Sequence, residues 1–164
     1  PAFEEAEKAV RTQLDHFLNS KGTLSADYFH KTIGKLLYEK CGLSRTKENL
    51  EEAITEIKKL KASFEKDLLI TGDDTLNSEL EKAGRIADYL ELAELMCYDA
   101  LQREESCGAH FREEYQTAEG EAVRNDNDFC YVSAWEYQGK DHPQKLHKEP
   151  LVFESVELAV RSYK

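Results

Sequence analysis

Apolar residues recur at spacings of three and four through the first hundred residues, the mark of helices with one buried face. Phe3, Ala6, Val10, Leu14 and Phe17 predict a first helix over 2–20, with acids at its start and Lys21-Gly22 beyond its end. Ser25 is the expected cap of a second helix, with Asp27 in its first turn. Its apolar face is Phe29, Ile33, Leu36 and Leu37, with Tyr28 at the edge, and Gly42 is the expected left-handed stop. Ser44 or Thr46 caps a third helix whose stripe is Leu50, Ala53, Ile54, Ile57, Leu60 and Phe64. Glu51, Glu52, Lys58 and Lys59 lie opposite, on a solvated face, offering i,i+4 pairs at most. Residues 70–74 read as a turn. A fourth helix is expected over 77–105. Leu80, Ala83, Ala87, Leu90, Leu95 and Met96 make its core contacts, and Ile86, Ala93, Cys97 and Leu101 add apolar residues on other faces. A helix apolar on several sides is the central one of a bundle.

The helical period stops after Arg112. Residues 113–128 are acidic and turn-rich, and 129–137 have the aromatic and β-branched composition of a strand. A loop over 139–143 leads to a second expected strand at 151–156. Two strands alone are marginal in water. The tail is therefore expected to lie on the bundle or on another domain, with Trp135, Tyr137, Phe153 and Tyr163 as docking side chains. The fold class is mainly α: a bundle of about four helices over 1–112, then a tail with short strands over 113–164.

The chain has 164 residues, 40% hydrophobic and 34% charged, with a formal net charge of −11. That composition suits one globular domain with a real core. The charge disfavours nucleic-acid binding and docking on anionic lipid by charge alone. No apolar run is long enough to span a bilayer, and no signal-peptide pattern is present. Cys41, Cys97, Cys107 and Cys130 lack paired C-x-x-C spacing, and reduced thiols in a cytoplasmic setting are the expectation. The chain opens at Pro1 directly in a helical pattern, and the expectation is a fragment or a processed product.

Candidate chemistry concentrates at the helix exit, over Glu104 to Glu114. Cys107 and His110 have C-x-x-H spacing, but a structural zinc site needs four ligands, and Cys130, His142 and His147 are distant in sequence. No metal site is expected. A Cys107–His110 thiolate pair would need a positive environment, yet the thiol follows a helix C-terminus, whose partial negative charge opposes it. A small residue packed in a turn is the better reading. The paired acids Glu104-Glu105 and Glu113-Glu114 are expected to be solvated. His16 and His30 sit at helix-face edges without an expected role. The glycines form neither G-x-G-x-x-G nor a P-loop, so no nucleotide cradle is expected.

The segment Glu105-Ser106-Cys107-Gly108-Ala109-His110-Phe111-Arg112-Glu113-Glu114 resembles the E-S-R-G-(A/G)-H-x-R-x-D/E segment of succinate dehydrogenase and fumarate reductase flavoprotein subunits. Phe29-His30-Lys31, Gly34-Lys35-Leu36, Cys41-Gly42 and Glu81-Lys82-Ala83-Gly84-Arg85 are similar to the same family's C-terminal helical region. So are His147-Lys148-Glu149-Pro150-Leu151 and Arg161-Ser162-Tyr163-Lys164. The likeness is to the bacterial type paired with a di-haem cytochrome b. L-aspartate oxidase has a related helical region, and a standalone acidic helical adaptor is the rival outside that family.

The resemblance implies a division of labour. In the family, an FAD domain and a capping domain bind the flavin and the dicarboxylate, and neither has a counterpart in this sequence. No catalytic, flavin-binding or metal residue is expected here, although the parent would use FAD. The implied partners are the FAD-binding domain of the same subunit, an iron–sulfur subunit and, indirectly, a membrane cytochrome b. The parent would be peripheral on the cytoplasmic face of the inner membrane. Glu105, Ser106, Gly108, His110 and Arg112 carry over as an interdomain interface, with Gly108 allowing a positive φ and His110 and Arg112 supplying donors. Cys107 stands where many members have arginine, and that position carries no role over.

Overall fold

Three of the four long helices begin on a side chain that accepts from their first free amides. The computed structural model describes residues 1–73, 75–139 and 142–159. Its helices are α1 (Ala2–Leu18), α2 (Ala26–Lys40), α3 (Lys47–Asp67) and α4 (Ser78–Gln102). The Tyr28 amide donates to Ser25 Oγ at 3.3 Å, and the Asn49 amide to Thr46 Oγ1 at 3.1 Å. The amides of Glu79 and Leu80 donate to Asn77 Oδ1 at 3.0 and 3.1 Å. Thr46, rather than Ser44, is therefore the cap of α3. Each such cap stabilises its helix by about 1 kcal/mol.

The core is a mainly helical bundle with α4 at its centre, packed on α1, α2 and α3. All six residues of the expected α3 stripe are buried. Phe64 packs edge-on against both Phe17 of α1 and Phe29 of α2, with ring centroids at 5.7 and 5.2 Å. On α4 the buried face is Leu80, Ala83, Ile86, Leu90, Ala93, Cys97 and Ala100. Met96 is exposed and Leu95 only half-buried, contrary to expectation, because the stripe runs through 86, 93, 97 and 100 instead.

The first helix departs most from its pattern. Only Phe17 is buried on α1; Phe3 is 91% exposed, and Ala6, Val10 and Leu14 also face outward. The apolar spacing formed the helix, but the bundle covers only its C-terminal end. The helix stops at Leu18, not at residue 20. The second helix ends at Lys40, Cys41 follows it at φ −127°, and Gly42 has no positive φ, so Gly42 is not a left-handed stop. Gly42 is required for another reason: a Cβ there would sit 2.5 Å from the Tyr38 carbonyl oxygen. The fourth helix ends at Gln102, three residues early, because Arg103 turns extended at ψ 94°. Lys58 is on the solvated face as expected, and from there it donates to Tyr98 Oη of α4 at 3.0 Å.

Two short strands escaped the periodicity. β1 (Leu24–Ser25) pairs in parallel with β2 (Leu68–Leu69), so the α1–α2 link is clipped to the end of α3. The Gly22 amide donates to Leu68 O at 3.0 Å. The chains approach so closely that a Cβ on Gly22 would lie 1.9 Å from the Asp67 carbonyl. The turn near residue 72 is present, with Gly72 at φ 88°; Asp74, its expected last member, lies outside the described residues.

The tail holds a one-turn helix, α5 (Asp126–Phe129), and an antiparallel hairpin of β3 (Tyr131–Glu136) and β4 (Lys145–Pro150). The expected second strand at 151–156 is therefore corrected to 145–150. Register decides this: Glu136 pairs with Lys145 and Tyr131 with Pro150, which exhausts β3 before the apolar run begins. Polar composition hid β4, since only Leu146 is partly covered. Trp135 docks the hairpin on the bundle by donating Nε1–H to Asp99 Oδ1 at 2.9 Å. Tyr137 and Phe153 remain exposed, and Tyr163 lies outside the described residues, as do 161–164 as a whole.

Candidate functional site

The end of α4 presents carbonyls that no further helical turn can satisfy. Arg112 returns to them: its Nη1 donates to Ala100 O at 3.0 Å and Leu101 O at 3.2 Å. Its Nε donates to Glu114 Oε2 at 3.1 Å, and the guanidinium lies 5.5 Å from the Tyr115 ring. The side chain is 2% exposed, so its charge is spent inside the chain. Ser106 fixes the loop that brings it back. The Arg112 amide donates to Ser106 Oγ at 2.8 Å, and the hydroxyl donates to Arg112 O at 3.0 Å.

Between these two residues the backbone makes a tight hairpin. Cys107 and His110 exchange amide bonds at 2.8 and 3.0 Å, with Gly108 at φ 59° in the first central position. That conformation favours glycine. Cys107, Gly108 and Ala109 form the exposed tip, while Glu105 and Ser106 are buried behind it. The Glu105 carboxylate accepts from Arg103 Nη1 and from the Asn125 amide, both at 2.9 Å. Arg103 also donates to Phe129 O and Tyr131 O at 3.0 and 3.1 Å, and its guanidinium is 5.0 Å from the Tyr131 ring. The helix exit, α5 and the hairpin are thus joined through one ion pair.

His110 joins the exit to the turn between α2 and α3. Arg45 Nη1 lies 2.8 Å from Nδ1, and Nε2 lies 2.9 Å from Arg103 O. Arginine can only donate and a carbonyl can only accept, so Nδ1 is bare and Nε2 carries the proton. Burial holds the ring's pKa below the ordinary histidine value, and Arg45, Arg112 and Arg103 add repulsion against the charged form. The backbone seals the contact: the Arg45 amide donates to Phe111 O at 3.1 Å, and the Glu113 amide to Arg45 O at 2.9 Å. Both ring nitrogens are committed, so the imidazole is not free to act as a base for Cys107.

A second thiol feature lies behind this turn. Cys41 and Cys97 are buried in the same core cluster, one closing α2 and the other on α4. The neighbouring Cys97 thiol and the charge of Arg45 hold the Cys41 pKa down to about 7 against burial. Cys41 and burial push the Cys97 pKa up.

The sequence reading had placed Glu105, Ser106, Gly108, His110 and Arg112 together, and the structure brings all five into one loop. It missed Arg45 and Arg103, which organise that loop from outside. Their signals were slight: an arginine between two candidate caps, and another two residues before Glu105. Among the described residues, no three His, Cys, Asp or Glu side chains form a ligand group. Among the described residues, no buried side-chain nitrogen or oxygen lacks a partner. The arrangement builds a rigid, internally neutralised loop with a small exposed tip.

Comparison with known proteins agrees with that architecture. The profile of the fumarate reductase flavoprotein C-term matches residues 30–163. A fumarate reductase flavoprotein subunit from Proteus vulgaris is 27% identical over 94% of this chain and 25% of its own length. A succinate dehydrogenase flavoprotein subunit from Rickettsia bellii is 28% identical over 70% of this chain and 19% of its own length. Among solved structures, a mutant E. coli quinol fumarate reductase superposes with a TM-score of 0.81, at 24% identity over 96% of this chain and 26% of that one, which bears on the fold alone. The chain spans about a quarter or less of the length of the curated relatives it matches.

Proposed function

The chain belongs to the fumarate reductase flavoprotein C-terminal family, and from that membership we propose that it works as the helical domain and tail of a succinate dehydrogenase or fumarate reductase flavoprotein. The parent reaction interconverts succinate and fumarate by hydride transfer between the dicarboxylate and FAD. Electrons then pass through an iron–sulfur subunit to a quinone, beside a membrane cytochrome b. This part carries no step of that chemistry. Its 1–112 bundle and 113–164 tail pack behind the flavin-binding part and present surface to partners.

One observation carries this reading. Large apolar residues stay exposed on two separate elements: along α1, and over Leu151–Leu158, where Val152 is 83% and Val156 71% exposed. Such surface in a folded chain marks an interaction site. A standalone acidic adaptor would be polar outside one groove. The helix exit supplies a third contact, and its residues divide the work. Cys107, Gly108 and Ala109 face the neighbouring domain, while Glu105, Ser106, His110 and Arg112 hold that tip rigid from behind. No described helix is long and apolar enough to cross a membrane. Attachment to the cytoplasmic face of the membrane through partner subunits belongs to the same proposal and rests on the family membership.

Purification of the native gene product tests this. A product that continues upstream of Pro1 through a G-x-G-x-x-G flavin fingerprint, with flavin absorbance near one per chain, supports the reading. A flavin-free product bounded at Pro1 overturns it.

A further inference from the structure

We propose that the helix-exit tip (Cys107–Ala109) and the apolar run of the tail (Leu151–Leu158) form one continuous docking face for a single partner, whose apolar contact surface is ringed by Lys and Arg. The inference rests on the domain reading and deepens it: the occupant is the flavin-binding part of the same polypeptide.

The two segments are far apart in sequence and are joined through residues 123–126. The Ser106 amide donates to Val123 O at 2.8 Å, which sets Val123 directly behind the tip. The Asn125 amide donates to Glu105 Oε2 at 2.9 Å. From between these two contacts Arg124 reaches the tail. Its Nη1 donates to Ala159 O at 2.9 Å, while Asp126 holds the guanidinium in a fork, at 3.0 Å from Nε and 2.6 Å from Nη2. The far end of the apolar run is therefore clamped beside the helix exit. Its near end is fixed on the hairpin, where the Leu151 amide donates to Cys130 O at 3.0 Å. Between these two ties Val152, Phe153, Val156 and Leu158 stay exposed, and so does Val123 at the junction. An apolar run pinned at both ends and left open is a presented surface, already ordered before a partner arrives.

Charge selects the occupant. Among the described residues, every exposed charge in 104–109 and 151–159 is acidic: Glu104, Glu154 and Glu157. The neighbouring arginines are committed within the chain, Arg103 to Glu105, Arg112 to Ala100 O and Leu101 O, and Arg124 to Asp126. A second copy would set acid against acid across this face, and an anionic lipid surface would be repelled in the same way. A partner with a basic rim gains at both segments at once. The relatives have the length to supply one: this chain covers 25% of the Proteus vulgaris subunit and matches the family's C-terminal profile, so most of that subunit has no counterpart here.

The experiment is amide hydrogen exchange on the 164-residue chain and on the native full-length protein, each unaltered, as Glu154→Lys/Glu157→Lys and as Arg124→Gln. Flavin content of each full-length protein reports on the domain reading separately. In the unaltered full-length protein, Gly108–Ala109 and 152–158 are both expected to be protected relative to the 164-residue chain. Each variant is expected to cut that protection by about threefold or more at both segments together. The charge-reversal variant should leave the Tm of the 164-residue chain unmoved, because both carboxylates are exposed. Loss at 152–158 with the tip still protected, in a flavin-loaded protein, would overturn the single face and leave the domain reading intact. Concentration-dependent dimerisation of the 164-residue chain that protects both segments would overturn the choice of occupant. A flavin-free product bounded at Pro1 would overturn the domain reading and this occupant with it.

Discussion

Arg45 and His110, 65 residues apart, meet at 2.8 Å, and the contact sets the protonation of the imidazole as well as its position. Nδ1 must stay bare to accept from the guanidinium, while Nε2–H donates to Arg103 O. A second ring proton would point into Arg45.

The pH dependence of stability follows. The folded-state pKa of His110 lies below the unfolded value of about 6.5. Below that value the unfolded chain binds the extra proton more readily, so stability rises with pH through the window. The contribution is whole above about pH 6.5 and is lost as pH falls toward the folded-state value. Urea midpoints measured from pH 5 to 8 should show this slope, and His110→Gln should flatten it. An unchanged slope in the variant would mean that other groups produce it.

Arg112 is expected to matter for folding before it matters for any contact. Arg112→Ala removes the guanidinium from two helix-end carbonyls and from Glu114 Oε2, while Glu114 Oε1 keeps the Lys47 amide, at a cost of roughly 2–4 kcal/mol. Arg112→Lys should recover only part, because an ammonium cannot span the same acceptors. Denaturant unfolding checks both. A loss under about 0.5 kcal/mol for the alanine variant would contradict the buried-cap assignment.

Two glycines should respond in opposite directions. Gly22→Ala forces a Cβ into the Asp67 backbone and should cost about 3 kcal/mol or more while freeing the β1–β2 clip. Gly34 lies in α2 with open space around it, so Gly34→Ala should stabilise by about 0.5–1 kcal/mol. Thermal melts of the two variants give the signs directly.

Trp135 is the single tryptophan, so its fluorescence reports on hairpin docking. Asp99→Ala removes the acceptor of its indole N–H and should red-shift emission at a stability cost of about 1 kcal/mol. Unshifted emission would show that the hairpin is held by Arg103 alone.

Much of this was legible because local rules and packing agreed. The α3 stripe and the Ser25 cap rest on spacing and side-chain chemistry within one turn, which also narrowed the α3 cap to Ser44 or Thr46 but did not single out Asn77 as the cap of α4. The helix-exit loop could be placed because glycine, serine and arginine cluster where the period ends. The direction of Arg112 could not be read, since only the path back over α4 turns its charge inward. For the same reason α1 misled: spacing shows that Phe3 and Val10 share a face, but not whether anything covers it. The second tail strand was hidden because β4 is polar, and its apolar neighbour at 151–156 offered the stronger composition.

The most direct test of the domain reading is amide hydrogen exchange over 105–112 and 151–158, measured in this chain alone and in a polypeptide that also carries a flavin-binding part. The account predicts rapid exchange at Gly108–Ala109 and across 152–158 in the isolated chain, slowed by about tenfold or more in the longer protein. Equal rates in both at these two segments would contradict it.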